Sequence, residues 1–452
     1  MVKASGQPFR HQLAAFLTDL RQRLVEPDPL LQRQLRLVLL DTAATAIANL
    51  SAPELVALQR QHSRLSPGEQ RLPGFCTALT PAGSALVLAA SACWDELVEG
   101  YAPAHGRPAL HAVPLCLSLG SAPGKRLGSN LNRSLEALLL AYELGARLGE
   151  SYRVPPGEHV DGTWGTAVAA LTAAVLLDIG ASAELEAVSA ALCQMSRSLF
   201  AAVQEGASCR LLYPGLAASR GLDLALGAAA GLRGPEALDR DPVLLALEAM
   251  PIDLAPRPTL AISCGYVKLL PGARHLHYAA EAARLWRQRF GDGFDWQSAA
   301  APQDGMGPIQ LRTYPEAIQY CGQSSPTNRI QAQFSLPFAV AASLRWGELG
   351  RQCFSSQALD DPGLQALMRR TQLVAVPDGE GRWAEVVADA EGAQQSARVD
   401  GLPGDPDRPI AEALRLEKAR ALLQPVLGEA ATARLIHHWL DADGSAPLWP
   451  LS

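Results

Sequence analysis

Hydrophobic positions dominate the first half of the chain and recur at helical rather than alternating spacing. Leu31–Leu50, Pro81–Leu97, Leu110–Leu119, Ser134–Leu148, Thr163–Ile179 and Ala183–Phe200 are rich in alanine and leucine and are divided by glycine and proline, which predicts a helix in each. Several are apolar on nearly every face, so they are predicted to pack on all sides. Around Met250 the texture changes: PIDLAPRPTLAISCGYVKLLPG brings four prolines, and a domain boundary is expected near Leu260. Beyond it the pattern predicts a helix at His277–Phe290, a strand at Ile309–Tyr314, a helix at Phe334–Trp346 and strands at Gln372–Val376 and Trp383–Val387. The turn-rich DGLPGDPDRP at 400–409 leads to Ile410–Leu440, which returns to helix. The expected fold is mainly α with an α+β insertion. A large all-helical domain is built from both chain ends (1–257 and 402–452), and a smaller α+β domain spans 258–401.

Composition narrows the partners. A chain of 452 residues exceeds one compact core, and 48% hydrophobic against 19% charged residues supports large buried cores and argues against disorder. A net charge of −6 and no lysine or arginine run give no footprint for nucleic acid. The eight cysteines form no CxxC pair and no metal-like spacing with histidine, so neither a zinc site nor a disulfide framework is expected. The N-terminus has no continuous apolar run, because His11, Gln12, Thr18 and Asp19 interrupt it, and a cytoplasmic location is expected. Apolar windows such as Ala167–Leu177 reach only about half the length of a membrane span.

Four segments place polar groups beside glycine or proline in apolar surroundings. WDELVEGYAPAHGRPALHAVP crowds Asp95, Glu96, Glu99, His105, Arg107 and His111 into one span. GEHVDGTWG sets His159 and Asp161 before a wholly apolar helix, where a plain helix cap would also account for them. Arg210 and Tyr213 precede another helix, and CGYVKLLPGARHLHYAAEA brings Lys268, Arg274, His275 and His277 to a helix entrance. Cations at a helix N-terminus oppose the dipole unless an anion binds there. With no serine elbow, phosphate loop or metal signature, this set suits a small carboxylate: arginine grips it in forked geometry, and histidine or lysine moves a proton at the adjacent carbon.

These segments resemble the MmgE/PrpD family, whose members include 2-methylcitrate dehydratase, cis-aconitate decarboxylase and iminodisuccinate epimerase. The resemblance runs from about Leu35 to Leu440 and rests on LLDTAATAIANL, WDE with EGY and GRPALHAVP, GEHVDGTWGTAVAA, RLLYPGLAASRG, KLLPGARHLH and QFSLPFAVAASL in the family's order. It implies a helical domain from both ends, an α+β lid, a cofactor-free site between them and a homodimer. By matching, it places His159, Lys268, His277 and Asp95 as catalytic residues. Arg107, Arg210, Arg274, Tyr213 and His111 complete the candidate set as substrate-binding groups. Four positions depart from the family's pattern: Arg107 stands for histidine, Arg210 and Tyr213 for lysine and histidine, and Phe338 for tyrosine. Arginine stays protonated and cannot shuttle protons, and phenylalanine removes a phenolic donor. The expected function is a cofactor-independent lyase of dehydratase type, or an isomerase, acting on a small di- or tricarboxylate-like acid. A non-catalytic relative that binds a carboxylate or a partner protein is the alternative.

Overall fold

The structure, a computed structural model, describes residues 8–26, 28–120, 130–152, 154–236, 238, 252–296, 307–377, 381–390 and 392–450. In the helical half, prolines mark helix starts: Pro29, Pro53, Pro81 and Pro108 open Pro29–Ala48, Pro53–Leu65, Pro81–Ala92 and Pro108–Leu119. The ring's fixed φ suits the first turn, where its missing N–H had no partner to lose. Asp28 and Thr80 accept hydrogen bonds from the backbone N–H groups of Leu30 and Gly83 and cap two of these starts, and Asn130 caps Leu131–Ser151 by accepting from the Arg133 N–H.

The helical body is organised around Gly165–Leu176, a helix in which every residue is buried. It packs against Pro108–Leu119, Leu131–Ser151, Ala181–Leu192 and Leu212–Ala229. Close approach depends on small side chains, since a Cβ on Gly221 would lie 2.4 Å from that of Ala169. The C-terminal helices Glu412–Leu427 and Glu429–Asp441 return to Pro29–Ala48, so Leu423, Leu435 and Trp439 share one core with Leu35, Leu39 and Ile47. Both chain ends therefore build one helical domain.

A second core, including Leu276, Trp286, Ile309, Phe338, Trp383 and Val386, belongs to the α+β lid. Its four-stranded sheet runs Thr371–Ala375, Ile309–Thr313, Ala384–Ala390, Ala393–Val399, with the first pair parallel and the others antiparallel. Helix Arg274–Phe290 packs on Leu336–Trp346 and on the last two strands. The protein is thus mainly α with an α+β insertion. No single helix among the described residues is long and apolar enough to cross a membrane.

Two expected elements end differently, and one strand was not expected. The helix predicted over Ala183–Phe200 spans Ala181–Leu192, after which Ser198–Leu199 pairs antiparallel with Glu158–His159. The predicted Ile410–Leu440 helix is two helices, broken at Gly428, whose φ of +77° ends the first. Strand Ala393–Val399 escaped prediction because its sequence, AQQSARV, is largely polar and exposed.

A buried ion pair fastens the returning helix to the body. Lys418 Nζ donates to Asp41 Oδ1 at 2.6 Å and to the Leu97 carbonyl at 3.0 Å, with both charged side chains almost fully buried. Removing one partner leaves a buried charge uncompensated. Lys418→Met is expected to lower unfolding free energy by about 3–5 kcal/mol, and Lys418→Met with Asp41→Leu to recover much of the loss, as read by chemical denaturation.

Candidate active site

The two domains enclose a cavity of about 280 Å³. Local backbone geometry aims groups at it from the helical side. Helix Pro81–Ala92 stops short of the WDE stretch, and Glu96 adopts a left-handed conformation (φ 53°). That conformation costs a non-glycine residue about 1–2 kcal/mol, offset here because the Glu96 carbonyl accepts a 2.6 Å hydrogen bond from Lys268 Nζ. The short Glu158–His159 bridge to Ser198–Leu199 fixes the imidazole, and Gly162 (φ +88°) turns the chain into the buried helix. A second main-chain contact to Lys268 comes from the Gly272 carbonyl at 3.2 Å.

A buried charge cluster forms the floor. Arg107 donates to Glu96 Oε2 at 2.8 Å and to Asp161 Oδ2, and Arg210 donates to Glu96 Oε1 at 2.5 Å. Lys268 Nζ lies 3.6 Å from Glu96 Oε2. Three cations thus meet two carboxylates, leaving a surplus positive charge. Burial alone would raise the pKa of Glu96, but Arg107, Arg210 and Lys268 outweigh it and hold the carboxyl well below its usual range. Cys93, Glu96 and Asp161 are spaced closely enough to hold a metal ion. The Arg107 guanidinium donates to all three, so a permanent cation already satisfies this donor set.

His159 stands above the cluster. The Asp161 backbone N–H donates to its Nδ1 at 3.1 Å, and Arg210 NH2 lies 3.5 Å from its Nε2. With the Nδ1 lone pair taken by that N–H and a guanidinium charge beside Nε2, a second proton on the ring is disfavoured. Burial first, reinforced by Arg210 and Arg107 against the pull of Asp161 and Glu96, pushes the imidazole down to about 4. Burial likewise lowers Lys268 to about 8, with Arg107 and Arg274 adding to the effect and Glu96 opposing it.

Of the candidates read from sequence, the structure brings His159, Lys268, Arg107 and Arg274 to the cavity wall. Arg210 lies directly behind His159, fully buried, and the Tyr213 ring flanks the imidazole with centroids 5.9 Å apart. Asp95 does not reach the wall. Its carboxylate pairs with Arg351 at 2.7 Å and Arg329 at 3.3 Å across the domain seam, so it fastens the lid, and the WDE stretch contributes Glu96 instead. His277 sits behind Arg274, 3.2 Å from its NH1 and from the Pro271 carbonyl, away from the cavity. His111 is buried edge-on against Trp164 and takes no part in the lining. Phe338 lies in the lid core, 5.0 Å from Phe354 between centroids, so a hydroxyl there would not face substrate. The phenols on the wall are those of Tyr152, Tyr266 and Tyr320. Glu316 and Arg382 also line it, and sequence reasoning missed both: each is a lone charged residue whose role depends on lid topology.

A helical body, an α+β lid and a cavity rich in charged groups between them define the class: a two-domain protein with its cavity at the domain seam. The chain matches the MmgE/PrpD N-terminal domain model over residues 11–242 and the C-terminal domain model over 271–442, and it belongs to the MmgE/PrpD family. No curated protein matches it significantly. The family typically includes hydro-lyases acting on carboxylic acids, such as 2-methylcitrate dehydratase.

Three buried imidazoles and one partly buried carry lowered pKa values: His111 and His159 at about 4, His277 well below the usual range, and the partly buried His275 at about 3, desolvation being the leading cause in each. Between these values and the unfolded value near about 6.5 the unfolded chain binds more protons, so stability rises with pH in that window. Denaturation midpoints are expected to fall progressively from pH 7 to pH 4.5, and His111→Phe to flatten the slope. A midpoint independent of pH there would contradict neutral burial.

Proposed function

We propose that this chain is a cofactor-independent lyase of dehydratase type that removes a proton beside a carboxylate of a small di- or tricarboxylate acid. The observation that carries the reading is the surplus positive charge around a neutral imidazole. An entering carboxylate is drawn to Arg107 and Lys268, and its negative charge favours the protonated form of His159, which makes the ring a stronger base once substrate is present.

His159 then takes the proton from the carbon. The electron pair moves toward the carboxylate, where Arg107 and the Lys268 ammonium stabilise the enolate-like charge. As the pair forms the double bond, the hydroxyl at the next carbon leaves and takes a proton from Lys268 to depart as water. His277, buried behind Arg274, is not used for that step. An isomerase of the same class would return a proton to the carbon from the opposite face instead.

These roles fix the shape of the pH profile. With neutral His159 and protonated Lys268 required in the free enzyme, kcat/KM rises through pH about 4 and falls through about 8. A profile that instead rises through pH 8 would make lysine the base. His159→Ala is expected to cut the rate roughly a hundredfold or more with the fold intact. In deuterated water, exchange with new ultraviolet absorbance indicates dehydration, and exchange without it indicates isomerisation. Binding without any exchange would overturn the enzyme reading in favour of a non-catalytic carboxylate binder.

A further inference from the structure

Arg382 enters the cavity from the lid, one residue before Trp383 and two before strand Ala384–Ala390. The other arginines of this region are engaged. Arg107 and Arg210 hold Glu96, Arg274 donates to Asp405 at 2.5 Å, and Arg329 and Arg351 hold Asp95. Among the described residues, Arg382 has no ion pair and no side-chain hydrogen bond. Its surroundings are largely aromatic, with the phenols of Tyr266, Tyr278 and Tyr314 near it. Glu316 is the carboxylate that acts on it, from beyond ion-pair distance, and Glu316 itself lies 3.4 Å from His105 Nδ1.

A guanidinium offers five N–H donors in a rigid fork and cannot shed its charge. Half-buried on the cavity wall and not engaged by a protein acceptor, the Arg382 fork is free to take its acceptor from a ligand. Its match is a carboxylate, which takes two parallel hydrogen bonds from the fork. Arg107 on the helical wall and Lys268 at the lid entrance already serve the carboxylate next to the reacting carbon. Arg382 stands on the lid wall with His275 and Tyr320 and would meet a different part of the same ligand.

We infer that Arg382 is the specificity-determining residue for a second, distal carboxylate, selecting di- or tricarboxylates over monocarboxylates and tying the lid to the body when the substrate bridges the cavity. This rests on the reading of the cavity as a carboxylate site, and it adds the residue that reads the far end.

Binding, measured by calorimetry on the full chain, separates the two. The probes are glutarate and tricarballylate, against glutaramate, which keeps one carboxylate and replaces the other with a neutral amide. Arg382→Ala is expected to weaken glutarate and tricarballylate by roughly 10- to 100-fold and leave glutaramate nearly unchanged. Arg382→Lys, which keeps the charge but loses the fork, is expected to fall between. Thermal unfolding of both variants checks that the lid remains folded. Equal weakening of glutarate and glutaramate would overturn the assignment, as would no binding of any of the three acids to the unsubstituted protein. Arg382-dependent binding without proton exchange would overturn the lyase reading alone and leave this one standing.

Discussion

The structure depends on one electrostatic constraint: two buried carboxylates, Glu96 and Asp161, must neutralise most, but not all, of the charge on Arg107, Arg210 and Lys268. Such a cluster survives burial only if nearly every charge has a partner at bonding distance. Burial first, with Arg210 and Arg107 adding to it, holds His159 neutral. On the proposed reading the charge left over draws in an anion, whose own negative charge then favours the protonated ring.

That arrangement explains why the site lies at a domain seam. Glu96, Arg107, His159, Asp161 and Arg210 come from separate loops and helix starts of the body, while Lys268 and Arg274 come from the entrance to the lid. The lid is fastened beside the cluster by backbone and side-chain bonds. Tyr266 and Gly100 exchange N–H to carbonyl hydrogen bonds, the Gly272 N–H donates to the Asp95 carbonyl, and Arg351 reaches both Asp95 and Asn49. Lys268 does both tasks, since its ammonium holds the Glu96 carbonyl while it faces the cavity.

Much of this was legible in the sequence, for a physical reason in each case. Alanine-rich runs opened by proline announced buried helices, and the proline cluster near residue 260 announced the change of texture before the lid. His159, Lys268, Arg107 and Arg274 were found because polar groups before apolar helices are unusual enough to notice. Asp95 and Glu96 could not be told apart, because which neighbour faces the cavity turns on one left-handed residue. His277 was misplaced by its nearness to Arg274, since a helix carries the two around the same turn and the arginine shields the imidazole. Arg382 and Glu316 were invisible, because their meeting depends on strand order in the lid.

The most direct test of the central claim is the protonation state of one ring. Nitrogen NMR of imidazole-labelled protein at pH 6, with the His159 signal assigned by its loss in His159→Gln, reads it with and without glutarate. A neutral ring in the free protein, with an apparent pKa that climbs when the diacid binds, is the result this account predicts. An imidazolium already present without ligand, or a pKa that the diacid leaves unmoved, would contradict it.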